Sequence, residues 1–282
     1  MRIGFFHRQA TAVLIAATAV AAPLSAWAGA YYDRSFVLAA HGRCALFGPG
    51  VVSALTASTL QARGAAVRAG INEVTLDATA ARARAQASRT LCSDPQLALV
   101  QARVTQAFEG WSSLARMTFP GGRSDWVANR SVFSSPTWRL MQASVTGASP
   151  VSFGMAASPD GTEQIQAVVS FVGQPRPYAA RIVLRDSSRL ARALPAALPP
   201  IASRRMFWAH SSADAMPTML ASDRKQGQTW AFPDATADAL ARLDPREPFM
   251  IEFMFRDDSI ARATFQAGDF AAGRAFIHMG NL

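Results

Sequence analysis

Hydrophobic and polar positions follow three successive patterns along the chain. The first is an unbroken apolar run from Ala10 to Ala22, preceded by Arg2, His7 and Arg8 and followed by Pro23 and the small-x-small triplet Ala26-Trp27-Ala28. That order predicts a secretory signal peptide over residues 1–28, cleaved after Ala28. The run is about 13 residues long, short of the roughly 20 that cross a hydrocarbon core. No later stretch is longer and as apolar, so the mature chain is expected to carry no transmembrane segment.

The second pattern, from Ser35 to Met117, has helical period. Phe36, Ala40, Cys44 and Phe47 fall on one face and Gly48-Pro49-Gly50 ends that segment. A second helix is predicted from about Gly50 to Ala69, stopped at Gly70. A third, from about Leu76 to Leu91, is rich in Ala and Arg and should lie at the surface. A fourth opens at Ser93-Asp94-Pro95, a capping residue followed by a proline that the first turn tolerates. Leu97, Val104, Phe108, Trp111 and Ala115 draw its apolar stripe.

From Thr118 to Pro136 the periodicity lapses, with Pro120-Gly121-Gly122 and Ser134-Ser135-Pro136 reading as a linker around Trp126. After it the period becomes two. Strands are predicted at 138–145, 151–157, 164–172, 179–186, 204–210, 229–232, 249–255 and 260–266. Pro159-Asp160-Gly161 should turn the second of these into the third, and Arg256-Asp257-Asp258-Ser259 the last two. Phe249, Ile251, Phe253 and Phe255 place their strand in the middle of a core, with Glu252 on its less apolar side. Short helices are expected near Ala235–Leu243 and Phe270–Met279, and Leu194–Ile201 as an extended connection. Strand following strand without helical crossovers argues for antiparallel sheets. The expectation is an α+β chain: signal peptide 1–28, helical domain 29–118, linker 119–136, and an antiparallel β-sheet or sandwich domain 137–282.

Cysteine count sharpens the picture. Cys44 and Cys92 are an even pair, and in an oxidising compartment they should form one disulfide. There is no Cys-x-x-Cys to suggest redox or metal chemistry. The formal charge of +9 is carried almost wholly by arginine, Lys225 being the only lysine, which reads as genome composition rather than a basic surface. An exported chain rarely meets nucleic acid, so none is expected. Such a charge permits an anionic polymer, a lipid or another protein of the envelope as partner. No Gly-x-Gly-x-x-Gly or Gly-x-x-x-x-Gly-Lys run is present, so no nucleotide cofactor is expected.

Ala239-Leu240-Ala241-Arg242-Leu243, then strand, turn, strand, then Gly268-Asp269-Phe270-Ala271-Ala272 entering a last helix, resembles the C-terminal end of invasion-associated locus B proteins. Trp138-Arg139-Leu140-Met141-Gln142 is similar to the opening strand of that domain. The likeness covers residues 138–282. It implies a secreted, β-rich envelope protein without known catalysis.

Three constellations could carry chemistry. Ser222-Asp223-Arg224-Lys225 matches the Ser-x-x-Lys nucleophile motif of penicillin-binding proteins and serine β-lactamases, in which the serine opens a helix and the lysine one turn on takes its proton. Here Gly227 and a strand follow at once, which favours an exposed loop. His210 precedes Ser211, Ser212 and Asp214, but no Gly-x-Ser-x-Gly elbow accompanies it, and a polar cluster at a strand end is the plainer reading. Met216 and Met219, with His210 close by, have the thioether and imidazole that suit Cu(I), although methionine more often fills irregular core space. The reading that follows is a periplasmic or secreted, non-enzymatic envelope protein that binds or organises an unidentified component. A serine hydrolase and a periplasmic copper binder are the alternatives.

Overall fold

A computed structural model describes residues 24–282 apart from 174 and 196. Of the expected leader 1–28, residues 1–23 lie outside the described residues, and 24–28 begin the first helix. Four helices come first: α1 (Leu24–Cys44), α2 (Pro49–Arg68), α3 (Glu73–Arg89) and α4 (Pro95–Ser112). The local reasons are legible. Asn72 caps α3 by accepting from Thr75 N at 2.8 Å, and Asp94 caps α4 by accepting from Gln96 N at 2.9 Å, with Pro95 in the first turn. α1 packs on α2 and α3 through small residues, with Tyr31, Ala62, Ala66, Val67, Leu76 and Ala80 buried together. The disulfide Cys44–Cys92 is formed, with a Cα separation of 5.5 Å, and ties the end of α1 to the turn ahead of α4.

The rest of the chain builds two antiparallel sheets. The strands are β1 (Arg116–Phe119), β2 (Trp126–Asn129), β3 (Thr137–Thr146), β4 (Ser149–Ala157), β5 (Glu163–Val169), β6 (Ala179–Arg185), β7 (Arg204–Trp208), β8 (Ser211–Asp214), β9 (Gln228–Phe232), β10 (Pro248–Met254) and β11 (Ile260–Gln266). Two short helices are α5 (Ala235–Ala241) and α6 (Phe270–Ile277). One sheet has the order β1-β2-β3-β4-β5-β9-β8, the other β11-β10-β6-β7. The fold is therefore α+β, helices first and sheets after. Both expected hairpins form, β4 with β5 and β10 with β11. At the first, Gly161 has φ +86° and Asp160 accepts from Thr162 N at 2.9 Å.

The sheets face one another across an aromatic core. Phe153 of the larger sheet lies 5.3 Å from Phe249 of the smaller, ring centre to ring centre, and Phe249 stacks on Phe265 at 5.4 Å. Each such fully buried ring contributes about 1.5–3 kcal/mol. Phe249, Ile251, Phe253 and Phe255 all point into this core, as their alternation requires. Glu252, on the opposite face, is buried between Arg181 and Arg262 at 2.7 and 3.1 Å.

α6 joins the helices to the sheets. Its Phe270 meets Trp126 at 5.0 Å, and its Phe276 meets Phe119 and Trp111 at 5.8 and 6.5 Å. α2 crosses it so closely that a Cβ on Gly64 would lie 1.9 Å from Asp269 Oδ1. Asp269 is paired with Arg68 at 2.6 and 2.9 Å. β1, β2 and β8 have no counterpart among the strands expected from the sequence. Residues 119–136, expected as a linker, hold β2 and two anchors. Trp126 is fully buried and donates to Ala267 O at 2.8 Å, and Arg130 is buried among five backbone carbonyls. No helix among the described residues is long and apolar enough to cross a membrane.

Candidate functional site

Strand alternation sends Ile165, Ala167, Trp230 and Phe232 into the core and leaves Gln164, Gln166, Thr229 and Ala213 on the outer face of the larger sheet. Alone this would be a flat, solvated surface. It becomes a concavity because the turn around Pro217–Met219 folds back over it. Met219 is buried against Ala156 and Val168, its carbonyl accepts from the Trp138 indole at 3.2 Å, and Thr218 donates to Pro136 O at 2.7 Å. His210, Pro233 and Asp234 line it as well. The resulting cavity is about 510 Å3.

Its lining is apolar at Ala156 and Met219 and elsewhere carries neutral hydrogen-bonding groups, Gln164, Gln166 and Thr229 among them, together with the carboxylates of Glu163, Asp214 and Asp234. His210 is exposed. Its backbone N–H donates to Ala231 O at 3.0 Å, and its Nε2 lies 3.4 Å from Gln164 Nε2, so the amide donates when the imidazole proton sits on Nδ1. Glu163 closes one end and accepts from His278 Nε2 at 3.1 Å. That hydrogen bond is the main reason the Glu163 carboxyl sits below its ordinary value. Burial opposes the shift, while Arg139 and Arg274 add to it.

The residues singled out from the sequence divide between different places. His210, Met216 and Met219 line this one cavity. Lys225 lines another, of about 530 Å3, with Arg176, Gln228 and Phe171. Ser222 is exposed in a turn and borders neither cavity. The Ser-x-x-Lys stretch is thus not on a helix, and the helical spacing that would carry the serine proton to the lysine is not present there. His41 accepts from Phe47 N through Nδ1 at 3.1 Å and stacks on that ring, which holds the chain leaving α1. Among the described residues no three His, Cys, Asp or Glu side chains are placed to hold a metal ion. The sequence reading missed Gln164, Gln166 and Thr229. The Gln164-x-Gln166 alternation opposite a buried Ile165 was the available signal.

No protein family, curated protein or solved structure matches the chain.

Proposed function

We propose that this protein is exported to the periplasm or beyond and binds, without transforming it, a neutral hydroxyl- and amide-rich segment of a cell-envelope polymer in the groove over β4, β5, β9 and β8. The observation that carries the reading is the groove itself. Carboxamides of Gln164 and Gln166, the Thr229 hydroxyl and the His210 imidazole line it together with the apolar Ala156 and Met219, the mixture by which protein sites orient polar ligands. The carboxylates of Glu163, Asp214 and Asp234 in the same lining disfavour an anionic ligand there. Export is supported by the apolar leader pattern and by the joined Cys44 and Cys92. Calorimetric titration of the mature chain with soluble cell-wall glycopeptide fragments tests the reading. Saturable binding that weakens about tenfold or more in Gln164→Ala/Gln166→Ala is expected, tenfold being 1.4 kcal/mol. Absence of binding to these fragments and to intact wall sacculi overturns it.

A second reading has one observation in its favour: His210, Met216 and Met219 line the same cavity, and thioether with imidazole suits Cu(I). Competition with a Cu(I) chelator at submicromolar affinity, abolished in Met216→Ala/Met219→Ala, would favour it over the polymer. The serine-hydrolase alternative has no such support, since Ser222, Lys225 and His210 border no common cavity. Robust labelling by a serine-reactive probe, lost in Ser222→Ala, would restore it.

A further inference from the structure

Several arginines of the chain have their charge met. Arg68 pairs with Asp269, Arg185 with Glu247, and Arg181 and Arg262 with Glu252, while Arg130 lies among backbone carbonyls. α3 differs. From Ala78 to Ser93 the sequence holds Arg82, Arg84 and Arg89 and no Asp or Glu. All three are exposed, and among the described residues none of them takes part in a salt bridge. Arg82 donates to Thr79 Oγ1 at 3.2 Å, a neutral group one turn back on the same helix.

Two of these arginines share a cavity. Seven residues of helix rise put Arg82 and Arg89 about 10 Å apart on one face of α3. Both line a space of about 570 Å3 between α3 and α1, with Gln86 from α3 and Gly29 and Tyr32 from α1. No carboxylate belongs to that lining, and Asp33 and Asp77, the acids nearest in sequence, stand outside it. The groove beside Gln164 is the converse, with the carboxylates of Glu163, Asp214 and Asp234 and no arginine or lysine. The two cavities therefore select ligands of different charge. On the export reading, cleavage after Ala28 takes that residue out of the lining and leaves the Gly29 α-ammonium in it, a further cation.

Phosphate is the anion this set of donors fits. Guanidinium groups bind it through paired N–H donors, and the Tyr32 hydroxyl and the Gln86 carboxamide add neutral ones. The apolar side chains nearby distinguish a lipid-borne phosphate from a dissolved one. Val74 is 79% and Leu91 71% exposed, near either end of α3. At about 100° per residue Val74 lies within about 80° of both arginines, on the same side of the helix. A free phosphate or a polyanion leaves these two side chains in water. A bilayer surface takes them in beside the headgroups that the long arginine side chains reach.

We propose that α3 and the cavity beside it seat this protein on a bilayer of anionic phospholipid, with Arg82 and Arg89 on headgroup phosphates and Val74 and Leu91 in the headgroup layer. This surface is separate from the polymer groove and draws on the export reading only for the Gly29 ammonium. An arginine at an anionic surface contributes roughly fivefold in partitioning. Mature chain should co-sediment with vesicles of mixed phosphatidylglycerol and phosphatidylcholine, but not with phosphatidylcholine alone. The binding should fall as salt is raised from about 0.05 to about 0.5 M. Arg82→Gln/Arg89→Gln should weaken it about tenfold or more, at an unchanged melting temperature, because both side chains are exposed. Val74→Ser/Leu91→Ser should weaken it severalfold. Arg192→Gln/Arg256→Gln removes the same charge from exposed positions outside the cavity and should change binding by less than about twofold. Gln164→Ala/Gln166→Ala should leave it intact whether or not the groove binds polymer. Equal binding to phosphatidylcholine alone, a double variant at Arg82 and Arg89 that binds like the unsubstituted chain, an equal loss in Arg192→Gln/Arg256→Gln, or displacement by inorganic phosphate at constant ionic strength overturns the proposal.

Discussion

Arg130 shows how much one side chain can hold. It is 3% exposed, donates from Nε to Gly280 O at 2.7 Å, and reaches Trp111, Ser112, Leu114 and Met279 carbonyls at 3.3–3.4 Å. Those carbonyls are the C-terminal ends of α4 and α6, where unpaired acceptors and the helix dipoles both favour a cation. Burial, and after it the nearby Arg139, holds the Arg130 pKa below its ordinary value, yet the group stays charged and its charge is met by these dipoles rather than by a carboxylate. Arg130→Met should lower unfolding stability by about 3 kcal/mol, the order expected when several buried acceptors lose a charged donor. A fall in urea midpoint at unchanged m-value checks it. In the sequence this arginine is one of two in an apparent linker and nothing singles it out, because burial of an arginine leaves no mark on periodicity. The groove has the same history. His210, Met216 and Met219 stood out as chemically unusual letters, whereas Gln164 and Gln166 look like any solvated strand face until the Pro217–Met219 turn closes over them. Ser222 and Lys225 stood out for the opposite reason, a spacing that carries chemistry only on a helix and here falls in a turn.

Among the elements, those with long, clean periods were legible to within a few residues, α2 to α4 and the eight predicted strands among them. The three missed strands are four residues each, too short to display alternation, and β8 is exposed at every position, so it has no apolar side to read. Their pairing is set by neighbours distant in sequence. The contact of α2 with α6 is of that kind, and it carries two predictions. Gly64→Ala places a methyl against Asp269, a short side chain already fixed by Arg68, and overpacking of this sort costs about 1–3 kcal/mol. A lowered thermal midpoint with native circular dichroism is the expected result. Asp269 also titrates abnormally: burial raises its pKa, and Arg68 only partly offsets this. Because the folded protein holds that proton more tightly than the unfolded chain, the contribution of Asp269 is full below the ordinary carboxylate range and falls as pH rises toward the raised value. Glu163, depressed mainly by its hydrogen bond to His278, has the opposite sign and loses its contribution as pH falls. Stability measured across the acid range should therefore rise more steeply with pH in Asp269→Asn than in the unsubstituted protein, and less steeply in Glu163→Gln.

At the scale of the whole molecule, the order of helices and sheets was written in the change of period near residue 118, while the way they join was not. The disulfide tests that joint. It closes a loop over a sequence separation of 48 that contains all of α2 and α3. Removing it in Cys44→Ser/Cys92→Ser frees that loop in the unfolded chain and should lower stability by roughly 4 kcal/mol on the chain-entropy account. The form of the transition is as informative as its midpoint. If α1 to α4 were a separate body, the loss would appear in the helices alone. Instead Ala57 of α2 belongs to the same buried cluster as Phe153 and Phe249, Arg68 pairs with Asp269, and Arg130 holds the ends of α4 and α6 together. Unfolding of the double variant followed by far-ultraviolet dichroism, which reports mainly the helices, and by tryptophan fluorescence, which includes Trp126 in the sheet core, should therefore give coincident transitions. Helical signal lost well before fluorescence would mean that this seam is too weak to couple the two halves.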